Sequence, residues 1–304
     1  MILTITLNPC IDKSSTVQKF EPETKLRCTN VLHEAGGGGI NVSKALLKLQ
    51  QASIAMFASG GHNGNMLCSL LQQQHIQFHN INTHVETREN WVMQETESNQ
   101  QFRFTFPGVA VEEAAIKTLI DEISNFSPTY IVASGSLPIG LPNHFYGLIA
   151  QTATALGAKC IIDTSGAALA ALKGKNAYLI KPNIGELCSL LNVTHIDKHE
   201  VDDAAQQIVT DGFATLVAVS MGPEGAWLVS ATEKHFAAAP AVLKKSTVGA
   251  GDSMVAGLTY MLQKNQSLKE CINFGVACGS AATMNTGTQL FNQTDVYALF
   301  EKMI

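Results

Sequence analysis

The sequence predicts an α/β fold: a three-layer αβα sandwich with a mostly parallel central sheet, plus a small β-sheet lid. Two observations carry this. From about residue 112 onward, short apolar strands alternate with helix-periodic segments, the pattern of a parallel sheet covered on both faces. Two earlier segments, about 10–34 and 87–107, alternate like strands with one wet face and contain no helical crossover, which makes them lid insertions in one domain spanning 1–304. A third observation is permissive: 304 residues, 46% hydrophobic and 15% charged, are enough for a large core.

The elements follow in order. Residues 1–7 read as a buried strand stopped by Asn8-Pro9. The polar stretch from Asp12 to Glu34 holds strand-like pieces at 15–17 and 26–32. Ala35 and the glycines 36–39 then lead into a segment where Val42, Ala45, Leu46 and Leu49 recur at helical spacing. A strand over 53–58, a turn over 60–64, a helix over 65–73 and a strand over 77–81 come next. Residues 91–95 and 102–106 flank a polar turn and predict a hairpin. Its Phe102, Phe104 and Phe106 leave an apolar face that needs a cover, and the same patch of a second subunit would supply it. Beyond it, helices are predicted over 112–125, 143–156, 185–191 and 201–210, and strands over 130–133, 159–163, 177–180, 215–220 and 227–230. Apolar helices close the chain.

Composition excludes several classes. The net charge of −5 has no basic block, against a general nucleic-acid binder. No apolar run reaches membrane-spanning length, and the N-terminal stretch lacks the basic segment and cleavage site of a signal peptide. Seven scattered cysteines form no C-x-x-C pair, which suits reduced core thiols and a cytoplasmic protein. There is no H-E-x-x-H or paired Cys/His metal site, no Walker A motif and no Rossmann G-x-G-x-x-G, since Gly36–Gly39 runs on into Ile40-Asn41-Val42. The failed spacing disfavours a dinucleotide-dependent dehydrogenase.

The most informative stretch is Ser246-Thr247-Val248-Gly249-Ala250-Gly251-Asp252-Ser253, followed at once by an apolar helical run. Free backbone N–H groups at a helix start carry partial positive charge and bind anions, and glycines let a ligand approach the backbone. An anion held there would sit beside Asp252, a layout for phosphoryl transfer with an anion hole next to a base. A helix N-terminus is expected to keep Asp252 ionised. The alternative is an ordinary turn and helix start. Gly36–Gly39 is likewise either a close approach to a ligand or tight helix–strand packing, and Asn41 could offer its amide to a sugar hydroxyl. Lys181-Pro182-Asn183-Ile184-Gly185-Glu186 ends a strand and opens a helix. Asn183 and Glu186 suit Mg²⁺ through its waters, or they simply cap the helix.

Taken together, Gly36–Asn41, Ser134–Gly140, Lys181–Glu186, Ser220–Gly225 and Thr247–Ser253 resemble, in order and over the whole chain, the ribokinase-like sugar kinases of the phosphofructokinase B type. Lys25-Leu-Arg-Cys28, the glycine run and Asn285-Thr-Gly-Thr288 look closest to the branch that phosphorylates fructose 6-phosphate with ATP. The resemblance implies a phosphotransferase with an alcohol acceptor. Asp252 would be its base, and Gly249, Ala250 and Gly251 its anion hole. Asp12, Gly37, Gly38, Asn41, Arg88 and Ser136 would hold the phosphosugar, and Lys25 would reach a partner's sugar phosphate across a lid-mediated homodimer. ATP would meet Lys181, Asn183, Glu186, Ser220, Gly222, Gly225 and Thr247, with Mg²⁺ waters on Asn183 and Glu186. Ser246, Val248, Ala282, Asn285 and Gly287 match positions that bind K⁺, although Gln289 stands where close relatives often have Arg. Tagatose 6-phosphate and fructose 1-phosphate are the alternative substrates. A non-catalytic sugar-phosphate sensor is the remote alternative, disfavoured by the intact Asp252.

Overall fold

The computed structural model describes residues 1–285 and 289–303. Its large sheet is built around β1 (Ile2–Thr6), buried at every position. On one side of β1 lie β4 (Ser53–Ser59) and β5 (Gln77–Asn82). On the other lie β8 (Tyr130–Ser134), β9 (Lys159–Asp163), β10 (Ala177–Ile180), β11 (Ala214–Ser220), β12 (Gly225–Val229) and β13 (Lys234–Ala238), in that order. The seven strands from β5 to β11 are parallel, and β12 and β13 turn antiparallel at the edge. This is the mixed, mostly parallel sheet that the alternation predicts.

Helices cover both faces. α1 (Gly38–Lys48), α8 (Ala250–Gln263), α9 (Leu268–Thr283) and α10 (Gln293–Phe300) share one apolar cluster with the sheet. α3 (Glu113–Glu122), α4 (Phe145–Ala155), the short α5 (Gly166–Ala170), α6 (Ile184–Leu191) and α7 (Val201–Thr210) share the other. α2 (Gly61–Gln73) packs with α1 and the lid. Among the described residues no helix is long and apolar enough to cross a membrane.

The lid is a second, four-stranded sheet, β3 (Thr29–Gly36), β2 (Cys10–Val17), β6 (Arg88–Glu95) and β7 (Gln101–Thr105), in that spatial order. Its two halves come from the two segments marked in the sequence and join through the parallel pair β2–β6. Cross-strand partners share a face, so Asp12, Asn90, Val92 and Arg103 lie together, while Lys13, Trp91 and Phe104 lie on the reverse. Trp91, Phe104 and Phe106 are each about 40% exposed. Phe102 differs from expectation by packing its ring on Phe20, 4.5 Å between centroids.

Local departures have physical causes. The turn expected at 60–64 is the first turn of α2. Glu86 reaches across from the loop before β6 and accepts from the backbone N–H groups of His62 (3.1 Å) and Asn63 (2.6 Å), a cap invisible to local pattern. β3 starts and ends later than expected because Gly36 pairs with Cys10, drawing the first glycine into the lid. α5 has too few residues to show a period.

Candidate active site

The Gly-Ala-Gly-Asp stretch opens α8 as its residues dictate. Gly249 takes a left-handed φ of 72° as the N-cap of α8, which non-glycine residues adopt at a cost. A Cβ there would stand 2.5 Å from Leu290 Cδ2. Ala250, Gly251 and Asp252 are the first three helical residues, so their N–H groups precede any intrahelical acceptor. The Ala250 N–H makes only a long 3.4 Å contact with the Thr247 carbonyl.

Asp252 is held from both sides of the molecule. Asn41 Nδ2, from α1, donates to its Oδ2 at 2.9 Å, and Ser134 Oγ, at the end of β8, donates to its Oδ1 at 3.4 Å. Burial, with the Asp163 carboxylate as second cause, pushes the Asp252 carboxyl up to about 6, while Asn41, Lys181 and Ser134 pull it back. This corrects the expectation that the helix start governs its protonation: desolvation and a like charge outweigh the helix end. The group remains mostly ionised at neutral pH, yet is a better proton acceptor than an ordinary aspartate.

The glycine run has a separate reason at each position. A Cβ on Gly36 would lie 2.1 Å from Asp12 Oδ2, one on Gly38 2.2 Å from Ser134 Oγ, and one on Gly39 2.4 Å from the Ile5 carbonyl, while Gly37 has φ 121°. Close packing on β1 and β8 therefore accounts for Gly38 and Gly39, and clearance for the Asp12 carboxylate accounts for Gly36. Asn41 spends its amide N–H on Asp252, which differs from the free amide expected. Its buried Oδ1 has no partner among the described residues.

At the lid, Arg88 Nη2 and Nε donate to the Asn8 carbonyl at 3.2 and 3.4 Å, and its Nη1 donates to Asn90 Oδ1 at 2.9 Å. Asn90 Nδ2 donates in turn to Asp12 Oδ1 at 3.0 Å. Ser136 Oγ accepts from Asn8 Nδ2 at 3.1 Å. Lys25 lies in the connection between β2 and β3, exposed, and among the described residues makes no hydrogen bond or ion pair to this chain's own site.

On the other side, a cavity of about 610 Å³ is lined by Ser220, Gly222, Gly225, Thr247, Ala250 and Gly251 among others, joining residues expected to meet a nucleotide to the start of α8. Asn183 forms a bridge with Ser220. Asn183 and Glu186 form a reciprocal capping box, both bonds 2.9 Å, so the capping alternative describes what they do in this structure. Burial raises the Glu186 carboxyl above its usual range, against the Asn183 N–H and the Lys181 charge. Only one of its oxygens is engaged in the cap, and with the Asp163 carboxylate nearby the hard-oxygen donor set fits Mg²⁺.

Lys181 is buried, and its Nζ pairs with Asp163 Oδ1 at 3.1 Å. Burial, the largest single effect, opposes the ammonium, but Asp163 together with Asp252 and Glu186 outweighs it and holds Lys181 above the ordinary lysine value. The Lys181 ammonium would come within 3.4 Å of a Cβ on Gly251, which places it at the start of α8. In the expected cation stretch, Lys245 and Ser246 donate backbone N–H groups to the Thr283 carbonyl at 2.7 and 3.2 Å, which ties the segment before Thr247 to the end of α9. Backbone carbonyls are suitable chemistry for K⁺, and of the five expected positions Gly287 lies outside the described residues.

Sequence reasoning missed three residues: Asp163, Asn90 and Arg103, the last of which donates to Thr247 Oγ1 at 3.4 Å and ties the lid to the turn. Asp163 had a signal, being a carboxylate at the C-terminal end of a parallel strand, where such sheets bind ligands.

A sequence model of the pfkB family carbohydrate kinases matches residues 3–295. The chain is 40% identical over 301 residues to ATP-dependent 6-phosphofructokinase isozyme 2 of Escherichia coli, covering 98% of this chain and 97% of that one. It is 32% identical over 282 residues to 1-phosphofructokinase of Xanthomonas campestris, covering 90% and 88%. The fold superposes on the crystal structure of E. coli phosphofructokinase-2 in complex with potassium with a TM-score of 0.95 at 39% identity, covering 99% and 98% of the two chains.

Proposed function

Because this chain belongs to the pfkB family of carbohydrate kinases, we propose that it transfers the γ-phosphoryl of ATP to the C1 hydroxyl of fructose 6-phosphate, giving fructose 1,6-bisphosphate. The observation that carries the reading is Asp252. It sits in the first turn of the helix whose Gly-Ala-Gly start opens onto the nucleotide cavity, and Asn41 and Ser134 grip its carboxylate from the sugar side.

The chemistry follows from the geometry. Asp12 and Ser136 orient the sugar, Asn41 holds the Asp252 carboxylate beside it, and the forked donors of Arg88 suit its 6-phosphate. Asp252, raised toward neutrality, accepts the C1 hydroxyl proton as the new P–O bond forms and the bond to ADP breaks. The N–H groups of Gly249, Ala250 and Gly251 bind the equatorial oxygens of the moving phosphoryl group, with the Lys181 ammonium beside them. Asn183 and Glu186 would hold Mg²⁺ through its waters, and the ion would neutralise charge on the ATP phosphates. Ser246, Val248, Ala282, Asn285 and Gly287 would hold K⁺, whose charge would support the turn. Arg103 on Thr247 supports a lid that closes over both ligands and excludes water.

The exposed Trp91, Phe104 and Phe106 support a homodimer through the lids, with Lys25 reaching the neighbour's site. All seven cysteines are free thiols, which supports a cytoplasmic setting. The likeness to a 1-phosphofructokinase favours fructose 1-phosphate as the second reading. A coupled ADP assay with fructose 6-phosphate, tagatose 6-phosphate, fructose 1-phosphate, ribose and adenosine decides. Highest kcat/KM with fructose 6-phosphate is expected, and preference for any other acceptor refutes the assignment.

A further inference from the structure

β2 and β6 bring opposite charges together from distant parts of the chain. Their parallel register sets Cys10 opposite Arg88 and Asp12 opposite Asn90. Alternation along each strand puts all four side chains on one face. A guanidinium and a carboxylate so close would ordinarily close into a forked ion pair, neutralising both. Here no carboxylate lies within ion-pairing distance of Arg88 among the described residues. The Asn90 amide stands between them instead. Its carbonyl oxygen accepts from Arg88 Nη1 at 2.9 Å, and its Nδ2 donates to Asp12 Oδ1 at 3.0 Å and to Cys10 Sγ at 3.2 Å. The Cys10 thiol donates to the same Asp12 oxygen at 3.3 Å.

An amide is well matched to this position, since it offers an acceptor to the cation at one end and a donor to the anion at the other. A carboxylate there would capture Arg88 and repel Asp12, and a methyl group would let the two charges meet. We propose that Asn90 is a positioning residue: an uncharged spacer that keeps Asp12 and Arg88 apart, so that one sugar phosphate meets both charges unneutralised. The proposal rests on the phosphosugar reading above, and Asn90 acts through its two neighbours, not on the reacting atoms.

Steady-state kinetics of the purified enzyme test it, with phosphosugar and MgATP varied separately. Wild-type turnover is read first. Absence of activity with fructose 6-phosphate refutes the substrate assignment alone, and the variants are then read with whichever of tagatose 6-phosphate or fructose 1-phosphate the wild type accepts. Asn90→Ala should raise the phosphosugar KM about 10- to 100-fold, the loss of a hydrogen bond to charged groups. Its kcat and its KM for ATP should stay within about twofold of wild type. Asn90→Asp should be worse than Asn90→Ala, and Asn90→Ser, whose hydroxyl both donates and accepts, should be milder. In an Arg88→Ala background the further change to Asn90→Ala should add less than about threefold, because no cation remains to collapse onto Asp12. An unchanged phosphosugar KM, a loss confined to kcat, or full additivity with Arg88→Ala overturns the proposal. Should Asn90→Ala give no soluble protein, the Asp and Ser variants carry the test, and equal KM values in those two overturn it.

Discussion

Replacing Asp252 by Asn should damage catalysis and stabilise the fold at the same time. The carboxyl is lifted from 3.8 to about 6, chiefly by burial, which corresponds to a penalty of about 3 kcal/mol on its charged form. An amide of the same shape carries no such penalty, and the partnerless Asn41 Oδ1 can turn to accept from it. The sign follows from linkage: the folded state binds this proton more tightly than the unfolded state, so the ionised carboxylate weakens the fold above pH 6. The gain from the substitution is therefore full above about pH 6 and fades as pH falls toward 4. For a chain of this length it corresponds to a rise in Tm of about 5 °C at pH 8. The lost proton acceptor should lower kcat by about 10²–10⁴ with the phosphosugar KM nearly unchanged. Calorimetry at pH 8 and pH 4 and the coupled assay read the two halves separately. A kcat within tenfold of wild type would remove Asp252 as the base. A Tm at pH 8 equal to or below wild type would refute burial as the cause of its raised pKa.

Other expectations follow from the same geometry. Wild-type kcat/KM should fall along an acid limb centred near pH 6. Asp163→Asn removes the like charge beside Asp252 and should move that limb to lower pH, while weakening ATP binding by freeing Lys181; a limb that stays in place counts against the coupling. Gly249→Ala forces a left-handed residue against Leu290 and should lower stability by about 1–3 kcal/mol, together with kcat, as judged by urea denaturation and turnover. Arg88→Ala should raise the KM for fructose 6-phosphate by an order of magnitude or more while leaving that for ATP unaltered, and an unchanged phosphosugar KM takes Arg88 out of the phosphate site. Exchanging K⁺ for a bulky organic cation should depress kcat, and full activity without K⁺ would dismiss the expected cation positions as a functional site.

Much of this was legible in the sequence because it is local. The strand–helix alternation, the Gly-Ala-Gly-Asp helix start and the Lys181–Glu186 strand end each declare themselves within a few residues. The two lid segments were legible as departures from that alternation. What escaped depends on pairing across the chain. Asn90 acquires its place only when β6 lies beside β2, 78 residues away by count from Asp12. Arg103 meets Thr247 across 144 residues, and the Glu86 cap that starts α2 comes from a loop more than twenty residues downstream. Asp252 shows the same limit in energetic form. Its neighbours along the helix suggest an easily ionised acid, whereas burial and the Asp163 carboxylate at the end of β9 push the other way.

The lid seam also bears on the order in which the molecule assembles and opens. β2 departs from β1 in the interior of the large sheet, and β6 follows β5 at its edge, so the β2–β6 pairing closes a loop containing α1, β4, α2 and β5. That closure is favourable only once the enclosed unit is in place, which makes the seam a late contact in folding. Run in reverse, the lid is a unit that can unzip while the core stays folded. Ser220, Gly222, Thr247 and Gly251 all lie outside it, so a molecule in that partly opened state retains its nucleotide cavity and loses Asp12 and Arg88 together. Mild denaturant would then abolish use of the sugar before it abolishes nucleotide binding, and backbone amides of β2 and β6 would exchange with solvent well ahead of those of β1.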